Sequence, residues 1–260
     1  MGLRNLVALS ALLEAALAGP TVYLAGDSTM AKGGDGAGTN TDGWGQYLGY
    51  SLDIPVVNNA IAGRSARSFW EEGRFQSIAN NVVSGDFVVI EFGHNDGGSL
   101  TPTDNGRSDC PGEAAQTCTS TYNGKTDTVY TFNHYLEEAS QLYSAKGAHV
   151  IISSQTPDNP WETGTFNGAA SRFVQYANDT AATLGTSVAS YVNHFGYVSA
   201  RFKSLGATVV DGYYPVDHTH TSTAGANTVS QAFVKGVVCG GSYLSAHVKN
   251  ATSTIPGSCL

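Results

Sequence analysis

The sequence predicts a three-layer α/β/α sandwich built on a five-stranded parallel sheet. Three observations lead there. Five short apolar runs, at residues 21–25, 55–58, 86–92, 149–153 and 187–192, recur along the chain with helix-period segments between them. The third, with Phe87-Val88-Val89-Ile90-Glu91-Phe92 at its heart, is apolar at nearly every position, which suits a strand covered on both faces. Residues able to do chemistry stand just after these runs, where an open parallel sheet gathers its ligand-binding loops beyond the strand ends.

The first run leads into Gly26-Asp27-Ser28, the second into Ala62-Gly63-Arg64-Ser65, and the third into Gly93-His94-Asn95-Asp96. Residues 95–130 break the alternation; they are rich in Gly, Ser, Thr and Asp and read as one long loop shaping the site. The glycine cluster at 33–38 reads as a second, mobile rim. From Phe132, apolar residues fall at Tyr135, Leu136, Ala139, Leu142 and Tyr143, the three-and-four spacing of one helical face, and Lys146-Gly147 ends that helix with a cation and a C′ glycine. A second helix starts near Ser171, carries Phe173, Val174, Ala177, Ala181 and Leu184, and stops at Gly185. A last one starts near Thr223 with Ala226, Val229, Phe233 and Val237. No repeat and no linker interrupts residues 19–260, which read as a single domain.

Composition narrows the function. The 260 residues are 41% hydrophobic and only 13% charged, which supports a large core. A net charge of −8 argues against nucleic acid as a partner, because phosphate binding needs a basic face. Residues 1–18 read as a secretory signal: Arg4 is the positive start, 6–13 the apolar stretch, and Ala16-Leu17-Ala18 the cleavage site, with Glu14 an interruption. That run is too short to span a bilayer, so the expectation is an extracellular protein with no membrane partner. Cys110, Cys118, Cys239 and Cys259 fit two disulfides in an oxidising compartment. Three pairings are open, of which the nearest-neighbour one would close a loop and tie down the tail. Asn178-Asp179-Thr180 and Asn250-Ala251-Thr252 are glycosylation sequons.

Gly26-Asp27-Ser28 alone is weak evidence, since a serine after a strand also caps helices, and the G-x-S-x-G elbow is absent. Asp217-His218-Thr219-His220 changes its weight by supplying, on one loop, an acid and two candidate bases. Together they point to covalent acyl transfer rather than metal or cofactor chemistry. Such a reaction needs uncharged donors aimed at an oxyanion, and the backbone N–H of Ser28, Gly63 and the Asn95 amide are the candidates. A metallophosphoesterase would need an early D-x-H and an asparagine ahead of its histidine; here His94 precedes Asn95. A carbohydrate-binding module would not need Ser28, Asp217 and His220 together.

These four blocks, in this order, resemble the SGNH (GDSL-type) hydrolases. The wording GDSTM, GWGQYL, AGRSARS, EFGHNDGG, SSQTPDNPWETGTF and DHTHTSTAGA is similar to the branch of that family acting on acetylated pectin. Thr29-Met30 after the serine, and Thr221 where a proline often follows the histidine, match that branch. The resemblance implies a flavodoxin-like sandwich and a triad of Ser28 as nucleophile, His220 as base and Asp217 as its orienter. Its D-x-x-H spacing selects His220 over His218. It implies an oxyanion hole of Ser28, Gly63 and Asn95, no cofactor, and no metal. The implied partner is an acetylated pectic polysaccharide, rhamnogalacturonan, with another acetylated glycan such as xylan as the alternative; a monomer is the default. Arg64, Arg67 and Arg74 are either contacts for galacturonate carboxylates or structural ion pairs. Trp70 and Trp161 are either sugar platforms or core. Asp27 and Asp96 read as local hydrogen-bonding residues.

Overall fold

A computed structural model describes residues 19–36, 38–113, 115–249 and 254–260; the expected signal at 1–18 and the Asn250 sequon lie outside the described residues. In chain order the strands are β1 (Val22–Gly26), β2 (Val56–Asn58), β3 (Phe87–Glu91), β4 (Thr117–Tyr122), β5 (Lys125–Tyr130), β6 (His149–Ser153) and β7 (Ala189–Val192). Five of them form one parallel sheet in the order β2-β1-β3-β6-β7. Counting those five alone, the order is 2-1-3-4-5, the flavodoxin-like winding, whose direction reverses between β1 and β3. The serine block follows β1 and the Asn95 block follows β3, so both open on that reversal.

Period-two alternation splits each strand between two cores. On one face Val88, Ile90, Val150 and Ile152 meet α1 (Ala66–Glu71), α2 (Arg74–Ala79), α3 (Phe132–Ser144) and α4 (Arg172–Leu184) through Phe69, Phe75, Leu136 and Ala177. On the other, Val22, Leu24, Val89 and Ile151 meet α5 (His194–Leu205), α6 (Ala207–Asp211) and α7 (Thr223–Cys239) through Phe202, Val210, Phe233 and Val237. No described helix is long and apolar enough to cross a membrane.

A buried polar link ties the second layer to the sheet. Glu91, at the end of β3, accepts from Trp44 Nε1 at 2.8 Å and lies 2.7 Å from His194 Nδ1. His194 Nε2 reaches the Val229 carbonyl at 2.9 Å; a carbonyl only accepts, so that nitrogen carries the hydrogen. Glu91 and His194 are almost wholly buried, and their mutual pairing satisfies groups that would otherwise be stranded in apolar packing.

Three sequence expectations need correction. Residues 95–130 are not one loop: β4 and β5 pair as an antiparallel hairpin from Thr117↔Tyr130 to Tyr122↔Lys125. Asn123 and Gly124, both at positive φ, make its two-residue turn, an Asn-Gly pair of the kind that favours hairpins. Helices α1, α2, α5 and α6 also lie where no helix is predicted. The Gly33–Gly38 rim is held by hydrogen bonds: Asp42 Oδ1 accepts from Gly33 N at 2.8 Å, and Thr41 Oγ1 accepts from Asp35 N at 3.0 Å. The cysteines pair as nearest neighbours, Cys110–Cys118 at the base of the hairpin and Cys239–Cys259 between the end of α7 and the C-terminal tail.

Candidate active site

The site starts from the turn that ends β1. Asp27 O accepts from Met30 N and Ala31 N, at 3.2 and 3.0 Å, while Asp27 Oδ1 accepts from Thr29 N at 2.9 Å and Thr29 Oγ1 at 2.8 Å. Asp27 therefore shapes the turn, as its sequence position suggests, and Ser28 is carried on it. No side chain fits at Gly26, where a Cβ would come within 2.9 Å of the Glu91 carbonyl.

His220 Nε2 lies 2.8 Å from Ser28 Oγ, and His220 Nδ1 lies 2.7 Å from Asp217 Oδ2. The other Asp217 oxygen accepts the backbone N–H groups of Thr219 and His220, at 2.8 and 2.7 Å. The D-x-x-H spacing thus closes a turn in which the carboxylate orients the ring and holds the backbone carrying it. An ionised Asp217 only accepts, so Nδ1 carries the hydrogen and Nε2 presents a lone pair to the serine hydroxyl. Burial pushes the Asp217 carboxyl up, but the hydrogen bonds from the His220 ring and from the two backbone N–H groups outweigh it and hold the acid below its ordinary range.

This loop is anchored on both flanks. Asp42 N donates to Thr221 O at 2.8 Å and Thr221 Oγ1 donates to Asp42 O at 3.3 Å, so the threonine that replaces a proline has a hydroxyl bond to make. Thr219 Oγ1 donates to Asp158 Oδ1 at 2.7 Å. His218 points elsewhere: it is exposed, and its bond to Glu162 Oε1 at 3.2 Å raises its pKa. His220, the histidine that the D-x-x-H spacing selects, is the one whose ring reaches Ser28.

Ile61 N donates to Gly26 O at 3.0 Å, which brings the Gly63 loop to the end of β1. Gly63 sits at φ +73°, a conformation that strains any residue with a Cβ. Asn95 Nδ2 donates to Arg64 O at 3.2 Å, and Asn95 Oδ1 accepts from Arg107 Nη1 at 3.1 Å. A guanidinium only donates, so Arg107 fixes which end of the Asn95 amide faces the Gly63–Arg64 loop. Asp35, Asp217 and His220 have ligand atoms within 4.8 Å of one another, the group of the described residues spaced for a metal; His220 is already engaged with Ser28, and Asp217 with His220.

The sequence pattern described as GDSL-like Lipase/Acylhydrolase matches residues 22–233, a span holding every residue of this site. The chain belongs to the GDSL-like lipase/acylhydrolase family. It is 53% identical to the rhamnogalacturonan acetylesterase of Emericella nidulans over 88% of this chain and 89% of that one. Among solved structures, Bacillus subtilis YxiM is similar at a TM-score of 0.64 and 22% identity, over 84% of this chain and 56% of that one. An acetylxylan esterase from Geobacillus stearothermophilus is similar at 0.54 and 15%, over 85% and 94%. Both structures share the fold of this GDSL-like chain.

The remaining expected residues of this GDSL-like chain divide cleanly. Arg64 pairs with Glu72 at 3.2 Å, Arg74 pairs with the same carboxylate, and buried Arg67 is held by Glu71 at 2.8 Å and Asp104 at 2.9 Å. All three are structural ion pairs. Trp70 packs against the first core, and Trp161 packs against the second while donating to Phe202 O at 3.0 Å. Asp96 fixes its loop as expected, accepting from Ala66 N at 2.7 Å and Gly93 N at 2.9 Å. Arg107, which orients Asn95, was not singled out by the sequence reading.

Asp96 is buried, and burial drives its pKa up to about 8; Asp109 beside it is raised for the same reason. The unfolded carboxyl titrates near pH 3.9, so between roughly pH 4 and 8 the folded chain holds a proton that the unfolded chain has lost. The stability this gives is full below that window, declines as pH rises through it, and falls no further above it. The thermal midpoint is expected to drop across pH 4 to 8 and to drop less in Asp96→Asn. Equal slopes in the two proteins would assign the effect to another group.

Proposed function

We propose that this chain is a secreted serine esterase that removes acetyl groups from acetylated rhamnogalacturonan, acting as one unit over residues 19–260 once 1–18 is removed. The observation that carries the chemistry is the single array Ser28–His220–Asp217, with its two hydrogen bonds of 2.8 and 2.7 Å. The support for the substrate is the 53%-identical relative of that name. Two disulfides support an oxidising compartment.

In this mechanism Ser28 Oγ attacks the acetyl carbonyl while His220 Nε2 takes its proton. Asp217 stabilises the imidazolium without taking the proton itself. The oxyanion is met by the backbone N–H of Ser28 and Gly63 and by Asn95 Nδ2. His220 then protonates the departing sugar oxygen, leaving an acetyl-serine. Water, deprotonated by the same nitrogen, hydrolyses that ester and returns the serine. Neutral donors suit the oxyanion because they stabilise the charge only once it has formed.

The test of the substrate is acetate release from acetylated rhamnogalacturonan beside acetylated xylan and acetylated homogalacturonan. Preference for the first supports the reading; preference for either of the others overturns the substrate while leaving the serine chemistry intact. Asn95→Ala removes one oxyanion donor and is expected to lower kcat by about 10²–10³, the equivalent of about 2.7–4 kcal/mol. A kcat within a few-fold of the parent's would remove Asn95 from the hole.

A further inference from the structure

Arg107 differs from the other arginines beside the site. Arg64, Arg67 and Arg74 each pair with a carboxylate, whereas among the described residues no carboxylate is recorded within ion-pair distance of Arg107. Its side-chain bond is to the Asn95 amide oxygen, from one terminal nitrogen. A half-buried guanidinium with the rest of its donor fork open is a ready donor site for a carboxylate.

It faces a cavity of about 380 Å³ that runs from Gly63 past Asn105 to Tyr122. Tyr122 ends β4, and its ring packs against Gly106, where a Cβ would meet it at 2.4 Å. Gly106 is itself fixed, at φ +73° with its N–H donating to Asp104 Oδ1 at 2.8 Å. The ring is still 40% exposed, and it also walls a second cavity of about 470 Å³ beside Trp70. The Cys110–Cys118 bond and the bond from Ser120 Oγ to Leu100 O pin the hairpin that carries it. The platform is therefore preorganised rather than ordered on binding.

We propose that this groove, from Gly63 past Arg107 to Tyr122, is a subsite for a uronic-acid residue of the substrate chain, resting on the acetylated-pectin reading above. Arg107 takes the uronate carboxylate, and the Tyr122 ring packs on a face of the sugar. The arrangement answers a difficulty of charge: a chain of net charge −8 would repel a polyanion. Glu71 and Glu72 line this groove but are matched by Arg67, Arg64 and Arg74, so the unmatched charge left at its wall is the positive one of Arg107. Because Arg107 also holds Asn95, a carboxylate seated there lies one residue away from the oxyanion donors. Arg107 is thus a specificity-determining residue, and Asn95 touches the reacting atoms.

Calorimetric titration with deacetylated rhamnogalacturonan oligosaccharides reads this subsite without any turnover. The control is the same oligosaccharides with their uronates reduced to neutral alcohols. The parent protein is expected to bind the acidic form about tenfold or more tightly than the neutral one, with that preference shrinking as salt rises. Arg107→Gln is expected to remove most of the preference, and Tyr122→Ala to weaken both forms alike. Equal affinity of the parent for the two forms overturns the assignment, as does an equal loss on both in Arg107→Gln. Should that variant not fold, the parent's own preference and its salt dependence still decide. Acetate release tests the esterase reading apart from this. A protein that prefers the acidic oligosaccharide but releases no acetate overturns the esterase; one that releases acetate without that preference overturns the subsite alone.

Discussion

Ser28→Ala is expected to lower kcat for acetate release by on the order of 10⁶-fold, the loss that deletion of a triad nucleophile brings. The hydroxyl is the atom that forms the acyl bond, and no neighbouring group stands in for it. His220 Nε2 approaches Ser28 Oγ at 2.8 Å and would face a methyl group in the variant. Ser28 lies in a turn whose bonds come from Asp27 and Thr29, not from the serine side chain. The fold is therefore expected to survive, with an unchanged thermal midpoint and unchanged affinity for deacetylated oligosaccharide. Residual turnover within about a hundredfold of the parent would move the nucleophile to another residue.

Asp217→Asn comes next, with an expected loss of kcat on the order of 10⁴. The substitution is nearly isosteric, and one of its atoms can still accept from the Thr219 and His220 N–H groups. If the amide nitrogen takes the place of Oδ2, it meets Nδ1 as a donor and drives the hydrogen onto Nε2, the atom that must receive the serine proton. The loss therefore belongs to kcat rather than to substrate affinity. A kcat loss of less than about tenfold would show that the ring needs no partner at Nδ1. The lowered pKa of Asp217 agrees with its role, because the acid must remain ionised while the ring beside it gains a proton.

Much of the frame was legible in the sequence, for identifiable reasons. Strands β1, β3 and β6 are covered on both faces, so they read as continuous apolar runs bounded by glycine or polar residues. Helices α3, α4 and α7 run thirteen residues or more, long enough to show one apolar stripe. Helices α1 and α2 are six residues each, split by Gly73 in the left-handed region, too short for a period to emerge. Helix α5 hides Phe195, Val198 and Phe202 among Gly, Ser and Tyr, residues of modest helix propensity. The β4–β5 hairpin is almost wholly exposed, so it has no apolar alternation to show, and its Asn123-Gly124 turn is its one strong mark.

In the proposed site, the hydrogen-bonded array of Ser28, His220 and Asp217 was legible because a short local spacing carries Asp217 and His220 and one strand end carries Ser28. The arginines were not. Whether Arg64, Arg67 and Arg74 are open to a ligand depends on Glu71, Glu72 and Asp104, and Asp104 is brought to Arg67 from 37 residues away. The same is true of the Glu91–His194 link, whose partners stand 103 positions apart.

Asp217 and His220 meet within one turn, while Ser28 and His220 are separated by 192 positions and meet through a single hydrogen bond of 2.8 Å. The acid–base pair can assemble as soon as its own few residues come together. Ser28 joins only when the turn that follows β1, a strand inside the sheet, meets the loop that precedes α7, a helix on one face of it, which closes a loop spanning most of the chain. Recovery of esterase activity during refolding therefore follows completion of the whole domain, and trails any optical signal that reports on helix formation alone.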